Sequence, residues 1–156
     1  YTCRVIDYLV PTATEGNKAL ATLVDKNGNN VKTYSSDAKD ITMPMAVLIN
    51  SDTAGYGELF ACDLKDFGKA FLIGEKTAGR ADVQETFELS DGGAVVLTTS
   101  KMLPYISESF DGKGLTPDTE IILADSLREN LSTLEKERDT QLQAAISMLA
   151  GNSSED

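Results

Sequence analysis

MAVLINSDTAGYGELFACDLKDFGKAFLIG, residues 45–74, is the stretch on which the fold turns. Met45 to Ile49 is a short, uninterrupted apolar run, the pattern of a buried strand in a parallel sheet. Asn50-Ser51-Asp52-Thr53 reads as a loop. From Ala54 to Phe67, the residues Phe60, Leu64 and Phe67 recur at spacings of four and three, with Leu59 and Ala61 alongside. This predicts a helix with one apolar stripe that stops at Gly68. Ala70 to Ile73 is a second buried strand, followed by the loop Gly74 to Gly79. Strand, tight loop, helix and strand form the unit of an α/β domain with a mainly parallel or mixed sheet.

Upstream, Leu20 to Val24 and Val31 to Tyr34 flank Asn27-Gly28, the strongest short signal for a hairpin. The same residues resemble the start of a calcium loop, but the twelfth-position ligand and helical flanks are lacking, so a plain turn is the reading. Ile6, Leu9 and Val10 ahead of Pro11 look like the last turns of a helix whose beginning lies upstream, and an N-terminal part of the domain is expected to be missing. The first residue is Tyr1, as expected of a processed product or of a piece cut from a longer chain. Downstream, Val83 to Leu89 and Ala94 to Thr99 are strands joined by the turn Ser90-Asp91-Gly92-Gly93. Glu120 to Leu123 is a last extended piece. Asp125 to Leu149 reads as one long helix with Leu127, Leu131, Leu134, Leu142, Ala145 and Leu149 on one face. It is expected to pack on its own domain or, as an alternative, on a second copy. The expected organisation is thus one domain over residues 1–150 and a disordered polar tail at 151–156.

The chain has 156 residues, of which 41% are apolar and 25% charged, so it has the material for one core. It contains no histidine. That removes Ser-His-Asp and Cys-His catalysis and histidine metal sites together. Twenty-five Asp and Glu against 14 Lys and Arg leave a net charge of -11, which repels phosphate backbones and anionic lipid. Nucleic acid is not expected as a partner. Cys3 and Cys62 are too few for an all-cysteine zinc site or a disulfide scaffold. No metal and no cofactor is implied.

Three local patterns suggest chemistry and each has a plainer explanation. Gly74-Glu-Lys-Thr-Ala-Gly79-Arg80-Ala81 nearly spells a phosphate-binding loop, but Arg80 stands at the lysine and Ala81 lacks the hydroxyl for magnesium. The residues after it alternate like a strand, whereas such a loop must open a helix. Asp52, Glu58, Asp63 and Asp66 read as an acidic, solvated helix face. Ser51 and Thr53 sit where α/β enzymes expose nucleophiles, yet a helix N-cap accounts for either hydroxyl.

Taken in order, Pro44 to Asn50, Ser51 to Glu58, Gly68 to Gln84, Leu89 to Gly93 and Gly112-Lys-Gly-Leu-Thr-Pro-Asp118 resemble the C-terminal processing peptidases, or tail-specific proteases. The likeness continues through Leu97-Thr-Thr99 and the segment from Asp139 to Leu149, and so spans nearly the whole chain. The resemblance implies the ββα superhelix of the Clp-protease and crotonase type. It also implies serine endopeptidase chemistry with a lysine base, which needs no histidine. The family's nucleophile lies in a pattern like N-x-x-[ST]-A-S-A-[SA]-E. Its lysine follows 25 residues later in a pattern like T-[FY]-G-K-G, and a glutamine four residues after that.

On this sequence Asn50, Thr53, Ala54 and Glu58 match the first pattern, and Gly55 falls at the nucleophile. Arg80 falls at the lysine, with the required separation, and Gln84 at the glutamine that orients the base. Glycine has no side chain to attack a carbonyl, and arginine is effectively always protonated and accepts no proton. The backbone N–H of Tyr56 stands where the family places one oxyanion donor; the second donor and the family's PDZ module are expected upstream of Tyr1. Thr53 and Lys76 are the available substitutes for nucleophile and base, but both have non-catalytic counterparts in active relatives. The sequence therefore points to a pseudo-peptidase that binds an unstructured peptide or protein C-terminus, with an active but rearranged endopeptidase or a non-catalytic assembly module as alternatives. A homo-oligomer through the C-terminal helix and an extracytoplasmic location are further expectations.

Overall fold

The computed structural model describes residues 1–10, 19–36, 43–128 and 131–152. The chain begins with helix α1 (Thr2–Leu9), which buries Cys3 and Ile6 and leaves Tyr8 exposed. Strands β1 (Ala19–Val24) and β2 (Asn30–Ser35) form the hairpin that Asn27-Gly28 announces, paired antiparallel with Leu23 opposite Lys32. Asp25 closes the turn by accepting from the backbone N–H groups of Asn27 and Asn29 and from the Asn29 amide. Strand β3 (Met45–Ile49), helix α2 (Tyr56–Asp66) and strand β4 (Ala70–Gly74) then appear as the opening stretch requires. β3 and β4 are parallel, with Val47 opposite Leu72.

Strands β5 (Asp82–Glu88) and β6 (Ala94–Leu103) make a second antiparallel hairpin, and β7 (Thr119–Glu120) adds a short parallel strand to β4. Two sheets result among the described residues: a four-stranded antiparallel sheet in the order β2-β1-β6-β5 and a three-stranded parallel one in the order β3-β4-β7. The expected α/β class holds, with parallel and antiparallel pairing separated into two sheets. Among the described residues β3 lies at the edge of its sheet, and within it only Ile49 is fully buried while Leu48 is exposed, unlike the doubly covered strand that its composition suggests. The core joins α1 and α2 to β1 and β6 through Ile6, Leu20, Leu59, Leu64, Met102 and Phe110. Ile49, Ala61 and Leu72 form a smaller cluster between α2 and the parallel sheet.

The C-terminal region corrects the sequence reading. In place of one helix from Asp125 to Leu149 there are a single turn α3 (Asp125–Arg128), two 3-10 turns (Leu131–Thr133 and Lys136–Arg138) and helix α4 (Thr140–Asn152). Glu135 and Asp139 adopt extended backbone. Asp139 then starts α4 afresh, its carboxylate accepting the Leu142 N–H at 2.9 Å. A cap and an ion pair win over the apolar period here, because Arg128 grips both oxygens of Glu75 at 2.6 and 2.7 Å and draws the chain back across the domain. α4 packs against β3 and β4, burying Gln141 and Ala145 and leaving Ile146 exposed. Gly151 and Asn152 belong to α4 rather than to a tail, and 153–156 lie outside the described residues. So do Pro11 and most of the polar segment before β3.

Candidate functional site

The loop from β3 to α2 is built by Asn50. Its side-chain oxygen accepts the N–H groups of Asp52 and Thr53 and the Thr53 hydroxyl, while the Asn50 N–H donates to that hydroxyl at 3.1 Å. Thr53 is thereby committed to a turn. It is not a helix N-cap, and neither is Ser51, whose hydroxyl accepts from Arg128. The N-cap of α2 is Gly55, with φ +59° and ψ -121°. A Cβ built there would meet only the Arg80 carbonyl oxygen, at 3.9 Å, so space exists for a side chain. The restriction is in the backbone, since a residue with a Cβ pays about 1–3 kcal/mol for such a conformation.

Glu58 holds the site together. It is fully buried, although it lies in the first turn of a helix in an acidic chain. Its Oε2 accepts the Gly55 N–H at 3.0 Å and the Arg80 N–H at 2.8 Å. Its Oε1 accepts the Gly79 N–H at 2.7 Å and the Thr77 hydroxyl at 2.5 Å. One carboxylate thus clamps residues 55 and 80, which are 25 positions apart in sequence. Four donors and no competing acceptor suit an acceptor-only group in a dry position. The Ala78 N–H to the Thr53 carbonyl, at 3.0 Å, adds a second stitch between the two loops.

The remaining motif glycines serve the same junction. The segment Gly112 to Leu115 lies against loop 77–79, with Gly112 N–H donating to the Gly79 carbonyl and Leu115 N–H to the Thr77 hydroxyl. A Cβ at Gly114 would stand 2.3 Å from the Thr77 carbonyl oxygen, so only glycine permits the approach. Asp118 accepts the Leu72 N–H and pairs with Lys65, tying this segment to β4 and α2.

Above the clamp opens a cavity of about 570 Å³ lined by residues 54–57 together with Arg80, Asp82 and Gln84. All four residues singled out in sequence, Gly55, Tyr56, Arg80 and Gln84, meet there. Arg80 is pinned by its backbone, while its exposed side chain forms no ion pair among the described residues. Burial raises the Tyr56 phenol above its ordinary pKa, with Tyr34 and Cys3 adding smaller pushes, so it remains an O–H donor at neutral pH. Asp82 is the lining residue that sequence reading missed. Its position two residues after Arg80 and two before Gln84, at the start of β5, is the available signal. Thr53 and Lys76 are not among the lining residues.

The acidic helix face also needs correction. Asp63 is as buried as Glu58, and its Oδ1 accepts the Tyr105 N–H at 3.0 Å. Asp66 accepts the N–H groups of Ile106 and Ser107 and the Ser107 hydroxyl. These two carboxylates anchor segment 105–107, where Tyr105 stacks on Phe67 with ring centroids 4.1 Å apart. Desolvation pushes the Asp63 pKa up to about 8, against the lowering effect of the Tyr105 N–H. Burial, with Asp66 next, pushes the Cys62 thiol up to about 12. After Gly79 the chain enters strand β5, which removes the phosphate-loop reading because no helix N-terminus faces that turn.

Similarity to known proteins follows these motifs. The carboxyl-terminal-processing protease of Picosynechococcus sp. is 34% identical over 119 residues, covering 76% of this chain and 28% of that protein. The chloroplastic carboxyl-terminal-processing peptidase 1 of Arabidopsis thaliana is 40% identical over 103 residues, covering 65% of this chain and 21% of that protein. Among solved structures, the photosystem II D1 C-terminal processing protease superposes with a TM-score of 0.67 at 28% identity, over 78% of this chain and 30% of that one. The chain therefore spans under a third of the length of each of these relatives. The expected fold, that of the C-terminal processing proteases, is the fold observed. Residues 7–121, which contain the clamp, the cavity and the glycine junction, match Peptidase family S41, and the chain belongs to that family.

Proposed function

We propose that this domain is a non-catalytic member of its family, a pseudo-peptidase that binds unstructured peptide without cutting it. The observation that carries the reading is that Gly55 and Arg80 flank one cavity at the places that the family pattern gives to nucleophile and base. Residue 55 offers no atom to attack a carbonyl, and a guanidinium does not take a proton at neutral pH. Loss of such a pair costs about 10⁴–10⁶ in kcat. An active site rearranged around Thr53 is disfavoured, because that hydroxyl is held by Asn50 outside the cavity lining. An extracytoplasmic location, which the resemblance implies, belongs to the same proposal and is tested by fractionating the producing cells.

The test is peptide cleavage by the chain and by its Gly55→Ser, Arg80→Lys double variant, with labelling by a serine-reactive phosphonate as a parallel readout. The natural chain is expected neither to cleave nor to be labelled. Hydrolysis by the natural chain that Thr53→Ala abolishes overturns the proposal.

A further inference from the structure

We propose that Asp63 is a proton-operated catch on segment 105–107, shut while its carboxyl carries a proton and eased open as rising pH favours the ionised, hydrated form. The catch lies outside the cavity and stands whether or not the chain binds peptide. Asp63 and Asp66 occupy the last turn of α2, where the negative end of the helix opposes a carboxylate. They grip the same segment, but unequally. Asp66 is partly exposed and accepts three donors, the Ile106 and Ser107 N–H groups and the Ser107 hydroxyl. Asp63 has no solvent access; its Oδ1 accepts the Tyr105 N–H, and its Oδ2 is buried without a partner. Of two carboxylates one helical turn apart, the charge settles on the one with donors and the proton on the one without.

The surroundings offer an ionised Asp63 no compensation. On its own helix it faces Asp66 and the Cys62 thiol, from α1 the Cys3 thiol, and from the segment itself the Tyr105 N–H. Burial raises both thiols, so they stay protonated and neutral. Two cations of this region are engaged elsewhere, Lys65 with Asp118 and Lys32 of β2 over the Tyr34 ring. One N–H does not satisfy an anion with about four lone-pair sites, so ionisation requires water. Water enters from the side of Ile106 and Ser107, which are exposed, because the α1 side, with Cys3, belongs to the main core. The segment leads on to the cavity wall. Asp111 accepts the Ala81 N–H at 3.4 Å and Gly112 donates to the Gly79 carbonyl at 2.8 Å, so the residues on both sides of Arg80 lean on the stretch of chain that the catch holds. Opening at Asp63 is thereby passed to the wall that carries Arg80.

The experiment is hydrogen exchange on the chain and on Asp63→Asn from pH 5 to pH 9, with protection corrected for the intrinsic rate at each pH. Asparagine keeps an acceptor for Tyr105 but does not ionise. A carboxyl that titrates at about 8 when closed and near 3.8 when open favours opening about tenfold more for each unit of pH from 5 to 7.5, and the gain levels off above 8. Protection at Tyr105, Ile106 and Ser107 is expected to follow that profile while staying at least about tenfold below that of β4, with a smaller fall at Gly112. In Asp63→Asn the profile is expected to be flat. Protection in the parent that does not change with pH, or a slope that survives in Asp63→Asn, overturns the catch. So does protection equal to that of β4 at every pH, which means that the segment opens only with the whole domain. A steady Gly112 overturns the link to the cavity wall. If Asp63→Asn does not fold, an NMR titration of the Asp63 carboxyl in the parent decides: a midpoint at about 8 supports the catch, and one at about 4 overturns it.

Discussion

Glu58→Gln is the most direct test of how residues 55 and 80 are held together. The native carboxylate accepts four hydrogen bonds in a position with no solvent access, two on each oxygen. Glutamine keeps the shape but turns one oxygen into an NH₂ donor. If that donor replaces Oε2, the N–H groups of Gly55 and Arg80 both face it and lose their acceptor. If it replaces Oε1, the Thr77 hydroxyl can turn to accept, and the Gly79 N–H alone is orphaned. The second orientation is the cheaper. A buried donor without a partner costs about 1–3 kcal/mol, and loss of charge from the two remaining bonds adds about 1 kcal/mol, for a total of about 2–4 kcal/mol. For a domain of this size that corresponds to a fall in Tm of about 4–16 °C. Urea denaturation followed by circular dichroism measures the free energy. Hydrogen exchange at Gly55, Gly79 and Arg80 locates it, with Gly79 losing most protection. A variant within about 0.5 kcal/mol of the parent, with all three amides still protected, refutes the clamp.

Three further outcomes are expected. The Asp63 carboxyl keeps its proton to about pH 8 when folded and releases it near 3.8 when unfolded, so its contribution is full below pH 4, declines as pH rises from 4 to 8 and then levels off. At about 1.4 kcal/mol per pH unit the whole decline is on the order of 5 kcal/mol; Asp63→Asn, which keeps the acceptor for Tyr105, should flatten the fall in Tm between pH 5 and pH 9, and an unchanged profile contradicts the assignment. Gly114→Ala sets a methyl against the Thr77 carbonyl at 2.3 Å and should cost at least about 3 kcal/mol in chemical denaturation, with a neutral result showing that the two loops separate readily. The Cys62 thiol, raised to about 12 and buried, should resist a disulfide reagent at pH 8 until the chain unfolds, and rapid native labelling argues against its place in the core.

How much of this was readable without coordinates differs from one element to the next. Strand β3, helix α2 and strand β4 follow from short-range pattern, because apolar runs, helical spacing and a stop glycine act within a few residues of one another. The same holds for the turns at Asn27-Gly28 and Gly92-Gly93. The long C-terminal helix failed for the converse reason: its apolar period was real, but Asp139 as a cap and Arg128 paired with Glu75 interrupt it, and the second partner lies 53 residues away.

The candidate positions were legible through motif spacing. Gly55 and Arg80 stand 25 residues apart with Gln84 beyond, and the chemistry that glycine and arginine lack is a property of the residue types alone. That these positions share one cavity is a matter of tertiary folding. So is the role of Glu58, which an acidic composition and a net charge of -11 assign to solvent. Burial of a carboxylate depends on whether enough donors converge on it, and its donors come from residues 55, 77, 79 and 80. Local pattern records what each segment prefers. Which carboxylates leave water, and which loops they bind, is settled only when segments distant in sequence meet.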